Sequence, residues 1–344
     1  MASESAWFVV GIDNGGTSNN ATVLDHQGRF LVDELRETPS QVAAGPDVAV
    51  AAISDAFENV LREKGVDRAA VRAVGLDSPG PASAEGVISS LGSTNFVHPA
   101  WYGFDFRGAV EAALEIPVVY NNDGNAAALY AHHVHFGDEA FARSSISLIV
   151  GTGLGGGVIE AGRVIRGAAG MAGEVGHVHI PMHGLLAEAQ PLPNCNCGFV
   201  GDAESVASLT GIEKNLLPYW LTRFPDHDLA RVESLSDAAK LVRGYGDAND
   251  AMAVEIFTQQ AIALGRLLTI VSNLFDPDAY FLGGGVVEAS PTFREWYLAT
   301  VRANTSLRKE QLERVTFALI PELDMAGARG AAIAAAEWSR LTQG

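Results

Sequence analysis

Short apolar runs alternate with polar, glycine-rich breaks along this chain, the pattern of buried strands closed by turns. Residues 7–12 read as a strand, 13–20 (DNGGTSNN) as a turn and 21–24 as a second strand, with a third near 30–32. Val50, Ile53, Phe57, Val60 and Leu61 then recur at helical spacing, and Gly65 stands where a helix C-cap is expected. Residues 71–76 read as a buried strand ending in the loop Ser78-Pro79-Gly80-Pro81. Residues 116–120 read as another, stopped at Asn121-Asn122-Asp123, and a helix is expected from about Asn125 through AAALYAHH.

The pattern then starts again. Residues 145–150 read as a strand, 151–156 as a turn and 157–160 as a strand. Val10-Gly11-Ile12-Asp13-Asn14-Gly15-Gly16 lies beside Val150-Gly151-Thr152-Gly153-Leu154-Gly155-Gly156, about 140 residues later, as if one unit had been duplicated. Phe257, Ala261, Leu264, Leu268, Val271 and Phe275 make a long helical stripe, followed by a strand at 279–282 and the loop Gly283-Gly284-Gly285. Residues 326–341 read as an alanine-rich closing helix, and 205–251 as helical and polar without a sharp motif. No low-complexity linker separates domains, so the boundary is expected inside the fold near Gly124.

Composition narrows the class. A chain of 344 residues suits two domains, and with 48% hydrophobic and 19% charged residues it can bury sizeable cores. No uncharged apolar run reaches the roughly 18 residues of a membrane span. The first seven residues (MASESAW) carry neither a basic nor an apolar signal region. Two cysteines, Cys195 and Cys197, cannot form a disulfide framework, so a reducing cytoplasm is the expected location. A net charge of −18 argues against a phosphate-backbone binder, so neither nucleic acid nor membrane is expected as a partner.

Glycine is the informative residue. Clusters at Gly15-Gly16, 151–157 and 283–285 each follow an apolar run, where backbone N–H groups can approach a phosphate that a Cβ would repel. Gly151, Gly153 and Gly156 fit G-x-G-x-x-G, but VIEAGRVI follows, which is hairpin rather than helix, so a dinucleotide fold is not expected. No G-x-x-x-x-G-K-[ST] is present either. Phosphate binding would then rest on two strand–turn–strand hairpins.

Such hairpins belong to actin-like, hexokinase-type ATPases, and six segments in order resemble the ROK family of sugar kinases and regulators. Asp13-Asn14-Gly15-Gly16-Thr17 resembles its first phosphate loop, and Asn122-Asp123-Gly124-Asn125-Ala126-Ala127 its N-D-x-N-A-A. Gly151 to Gly157 (GTGLGGG) resembles its second phosphate loop, and Gly173-Glu174-Val175-Gly176-His177 its G-E-x-G-H. Residues 195–204 (CNCGFVGDAE) resemble C-x-C-G-x-x-G-C-x-E, and Asp276-Pro277 with 282–286 (LGGGV) the adenosine loop.

The resemblance implies two related α/β domains of the actin-like (ribonuclease H-like) type with a ligand cleft between them. It places residues 1–123 plus about 326–344 in an N-terminal sugar and phosphate-loop domain, and 124–325 in a C-terminal nucleotide-binding domain. It implies ATP- and Mg2+-dependent phosphorylation of a hexose, glucose at its 6-hydroxyl first, with Asp123 as the base. The bland alternative for Asp123 is a helix N-cap. By the same resemblance Gly80, Asn95, Asn122, Asp123, Glu174, His177 and Glu204 line the sugar pocket. Asp13, Gly15, Gly16, Thr17, Gly151, Thr152, Gly153, Gly283, Gly284 and Gly285 hold the nucleotide, and Asp13 holds Mg2+ through water.

Other readings stay open. Fructose, mannose, an N-acetylhexosamine, an amino sugar or a cyclitol would serve as substrate, and polyphosphate as donor. A sugar-sensing regulator is the reading from another class. About ten residues precede the first loop, too few for a helix-turn-helix. Departures from the pattern are Asn14, Ser18 with Asn19-Asn20 where a basic residue is common, and Asp202 at a zinc-ligand cysteine position. Zn2+ is expected on His177, Cys195, Cys197 and Asp202, with His179 or His183 in reserve, as a structural clamp. A homodimer is implied by the resemblance.

Overall fold

The structure is a computed structural model that describes residues 6–80, 82–89 and 95–343. Pro81 of the expected 78–81 loop and residues 90–94 lie outside the described residues. Among the described residues ten strands form two sheets. The first contains β1 (Phe8–Asn14), β2 (Ser18–Asp25), β3 (Glu37–Pro39), β4 (Val71–Ser78) and β5 (Val118–Asn122) in the order β3-β2-β1-β4-β5. The second contains β6 (Ser145–Val150), β7 (Leu154–Glu160), β8 (Arg163–Val164), β9 (Ala279–Gly284) and β10 (Thr316–Leu319) in the order β10-β9-β6-β7-β8. Read from its other edge, the second order matches the first position for position, which is the duplication expected from the two glycine turns.

By their internal contacts the residues group into two compact units. One is Met1–Arg143 with Gly157–Gly173 and Ile320–Gly344; the other is Ser144–Gly156 with Glu174–Leu319. In the first, β1 pairs antiparallel with β2 and parallel with β4, and β4 pairs parallel with β5. Alternation along β1 and β4 decides what each face meets. Val10, Ile12, Val74 and Leu76 join one buried cluster with Ile53 and Phe57 of helix α1 (Pro46–Lys64) and Val110 of helix α2 (Phe106–Leu114). Pro46 opens α1, and Gly65 ends it at φ 63, as expected for a C-cap.

The opposite face carries Gly11 and Gly75, and there the closing helix Leu323–Gln343 lies directly on the sheet. A Cβ on Gly11 would stand 1.9 Å from the Ala328 carbonyl oxygen, and one on Gly75 1.8 Å from that of Ala331. Only glycine lets helix backbone approach strand backbone this closely. In the second unit the helix Ala251–Phe275 buries Leu264, Leu267, Leu268 and Val271. It is long and apolar enough to cross a membrane by composition, but 61% of its most apolar window is buried inside the protein, so it is a core helix.

Several boundaries differ from the sequence reading. The first turn is only Gly15–Thr17 wide because β1 and β2 extend into the asparagines, whose side chains are buried. No strand forms at 30–32; Phe30 makes a single bridge to Leu24, and the third strand is β3. The helices Phe106–Leu114 and Pro291–Ala303, and strand β10, had no sharp periodicity to announce them.

Gly75→Ala should lower unfolding free energy by more than about 3 kcal/mol, the upper end for forced overpacking. Gly244→Ala, on an exposed helix position where a Cβ meets nothing within 4 Å, should raise it by about 0.5–1 kcal/mol. Urea denaturation of both variants checks the pair.

Candidate active site

The first glycine turn is held by its own backbone. Gly15 N–H donates to the Ser18 carbonyl at 2.8 Å, and Ser40 N–H to that of Thr17 at 3.0 Å. Asn95 is brought against this turn: a Cβ on Gly16 would stand 2.5 Å from Asn95 Oδ1. Beneath it the Asn14 amide donates to Asn19 Oδ1 at 2.6 Å, and Ser18 Oγ to Glu37 Oε1 at 2.8 Å. The locus is therefore acidic, because Asp13 at the end of β1 is register partner of Asp77 on β4.

Asp13 is half-buried and Asp77 fully buried. Burial raises the pKa of Asp13, Asp123 raises it further, and a hydrogen bond with Asp77 opposes. Burial followed by the charges of Asp13 and Asp123 pushes Asp77 well above the usual carboxylate range. Asp77 is not singled out by sequence. The available signal was one carboxylate inside the apolar run VRAVGLDS.

Helix α3 (Asp123–Phe136) begins where β5 ends, two residues earlier than its apolar pattern suggests. Its N-cap is Asn122, whose Oδ1 accepts Asn125 N–H at 2.8 Å. Asp123 is thus the first helical residue and not the cap, which removes the bland explanation for its carboxylate. Its Oδ1 accepts the adjacent Gly124 N–H at 2.7 Å. The surrounding protein raises its pKa by desolvation, opposed by hydrogen bonds from Gly124 and its own backbone N–H. The residue still meets solvent. Gly80, nearby in sequence to Asp77, is half-buried, and a Cβ there would meet Ala82 N at 3.8 Å, an ordinary contact.

In the second unit β6 and β9 run parallel and end side by side, Val150 opposite Gly284. Their glycine loops therefore share one edge. Gly151 N–H donates to the Gly153 carbonyl at 2.9 Å, Gly285 N–H to that of Val150 at 3.0 Å, and Thr210 Oγ1 to that of Thr152 at 2.8 Å. Gly284 has φ 88, and a Cβ there would strike the Val150 carbonyl at 2.1 Å. A cavity of about 400 Å³ opens beside these loops, lined among others by Gly151, Thr152, Gly285, Phe257, Phe293 and Tyr297. Apolar walls at the mouth of backbone-rich loops suit a flat heteroaromatic base with a phosphate tail.

Glu204 anchors the second loop. Its Oε2 accepts Leu154 N–H at 2.8 Å and its Oε1 the Cys195 thiol at 3.2 Å. Glu174 is exposed, one residue before the short turn Val175–His177. His177, Cys195, Cys197 and Asp202 converge, with one ligand atom of each within 4.8 Å of the others. His177 Nδ1 stands 3.3 Å from Asp202 Oδ2 and 3.5 Å from Cys197 Sγ. The Asp202 contact pushes His177 up to about 9, burial opposing. Burial pushes the Cys195 thiol up. His179 is exposed, and only its backbone pairs with Asp202, in an isolated bridge; His183 is also exposed.

Comparison with known proteins agrees with this architecture. The sequence model of the ROK family matches residues 9–337. A glucokinase of Halalkalibacterium halodurans is 31% identical over 292 residues, 83% of this chain and 82% of that one. A solved ROK hexokinase from Thermus thermophilus is 31% identical with a TM-score of 0.74, covering 98% of this chain and 100% of that one. A ROK glucokinase from Streptomyces griseus, solved with glucose and AMPPNP, is 27% identical with a TM-score of 0.66, covering 96% and 99%.

The capping geometry separates two neighbours. Asn122→Ala should cost about 1 kcal/mol of stability, the usual loss for an N-cap. Asp123→Ala should leave stability within about 0.5 kcal/mol or raise it, since the cap stays and one charge near Asp13 and Asp77 is gone. Chemical denaturation at neutral pH measures both.

Proposed function

The chain belongs to the ROK family, and from that premise we propose that it is a sugar kinase, transferring the γ-phosphoryl group of ATP to a hexose, with glucose at its 6-hydroxyl as the substrate. Asp123 carries the reading: a carboxylate at a helix start, relieved of capping by Asn122, accessible to solvent and raised in pKa. Phosphoryl transfer to an alcohol needs a group that accepts the hydroxyl proton as the bond to phosphorus forms. Asp123 takes that proton. Asn95 and Asn122 supply amide donors and acceptors suited to sugar hydroxyls. The second unit supplies the nucleotide cavity, with the backbone of the two glycine loops at the phosphate end.

Two metals fit the residues present. Among the described residues no cation pairs with Asp13, and the buried oxygens of Asp77 beside it have no partner from another residue except Asp13, so the locus suits a hard divalent ion. Mg2+ held there through Asp13 would neutralise charge on the transferring phosphates. His177, Cys195, Cys197 and Asp202 offer the nitrogen, sulfur and oxygen donors of a closed tetrahedral Zn2+ site. That ion would clamp residues 177–204 and fix Glu204 against the second loop, a structural role.

A coupled assay with ATP-Mg2+ and a dozen sugars tests the activity; transfer to none of them overturns the reading. Asp123→Asn should lower kcat at least about a hundredfold with the fold intact, the lower end for a general base. Because the base must be ionised and its pKa is raised, kcat/KM should fall as pH drops through an inflection above the ordinary value of about 3.9. A flat acid limb down to that value would remove Asp123 from the role.

Metal analysis of protein purified without chelator should find about one zinc per chain, the count for one four-ligand site. Cys195→Ser should lose it, and chelation of the wild type should lower Tm.

A further inference from the structure

We infer that Asp77 is a second carboxylate of the divalent-cation site built around Asp13, a role that rests on the phosphoryl-transfer reading above. Asp77 is 0% exposed, and apart from the hydrogen bond it shares with Asp13 its oxygens have no partner from another residue among the described ones. Among those residues no arginine, lysine or histidine pairs with it. A carboxylate taken from water without a donor or counter-charge is costly, and its position indicates what compensates it.

Three features point to a metal ion. Asp77 is register partner of Asp13 on adjacent parallel strands, so both side chains leave the same face of the sheet. That face is covered by the closing helix at Gly327, where a Cβ would stand 2.8 Å from Asp13 Oδ2 and 2.8 Å from Asp77 Oδ2, so the two oxygens converge on one point. Asp13 is only half-buried, which leaves the pair a route to solvent. Two converging anionic oxygens, with Asp123 adding a third negative charge nearby, are hard donors and select Mg2+, Mn2+ or Ca2+ over softer ions. Burial and the charge of Asp123 raise both pKa values, and the charge of Asp13 raises that of Asp77 further, a repulsion that a cation between the carboxylates would relieve. Asp77 therefore increases the charge that draws the metal to the end of β1.

Mn2+ in place of Mg2+, titrated into nucleotide-free protein and followed by the electron paramagnetic resonance of the free ion, tests this. Wild type should bind Mn2+, Asp77→Asn at least tenfold more weakly, and Mn2+ should raise Tm of the wild type more than that of the variant. Equal affinity in both proteins, or no binding by wild type at millimolar Mn2+, overturns the inference. Should Asp77→Asn not fold, electron–nuclear double resonance on wild type labelled with carboxyl-13C aspartate decides: couplings from two carboxylates support it, and from one overturn it. Transfer from ATP to sugar by wild type is measured apart. Activity with unchanged Mn2+ affinity in Asp77→Asn sinks this inference alone.

Discussion

Everything in the first unit depends on how closely one helix approaches one sheet. The backbone of Leu323–Gln343 sits against Gly11 and Gly75 at a separation that excludes even a methyl group. A side chain on either glycine would lift the helix off β1 and β4. The same helix passes Gly330 over the Ala126 carbonyl of α3, where a Cβ would stand at 1.8 Å. Strands β1 and β4 each carry an aspartate one residue before their end, and helix α3 begins with one. The contact therefore fixes Asp13, Asp77 and Asp123 relative to one another, and Arg329 Nη1, donating to Tyr130 Oη at 2.7 Å, adds a polar tie to α3. A packing constraint far from any ligand sets the electrostatics of the site.

The two sheets share an order but put it to different uses. In the first, the strand before the glycine turn carries a carboxylate one residue before its end, and the neighbouring parallel strand carries another. In the second, the equivalent strands end in Val150 and Gly284, and the space beyond them is an apolar cavity walled by Phe257, Phe293 and Tyr297. One topology thus presents charge in one copy and a base-sized hollow in the other. Phosphoryl transfer needs both kinds of surface, one for proton and metal and one for the nucleotide.

Sequence made the strands and glycine turns legible because a buried strand beside a glycine cluster leaves a strong local pattern. The cysteine and histidine spacing around residue 195 was equally readable, since metal donors are rare residue types. Asp77 was not, because its meaning comes from register: only pairing β4 with β1 sets it beside Asp13. The identity of the cap was not legible for a related reason. Asn122 and Asp123 are both good caps by type, and only the course of β5 into α3 decides which one turns back to Asn125. Helices such as Pro291–Ala303 were missed because neighbours outside their own sequence define their buried faces.

Asp202 shows why a carboxylate can stand at a position where cysteine would be the softer ligand. It is fully buried, and it divides its two oxygens. Oδ1 accepts Ser205 N–H at 2.9 Å, while Oδ2 faces His177 Nδ1 at 3.3 Å and Cys197 Sγ at 3.7 Å. A thiolate has one donor atom and would have to give up the Ser205 contact or the metal. Burial opposes the charge on Asp202, but the His177 and Ser205 hydrogen bonds hold its pKa below the usual value. The His177–Asp202 pair closes the loop, because each group keeps the other ionised. The segment that carries Glu204 is therefore tied at its His177 end by this pair.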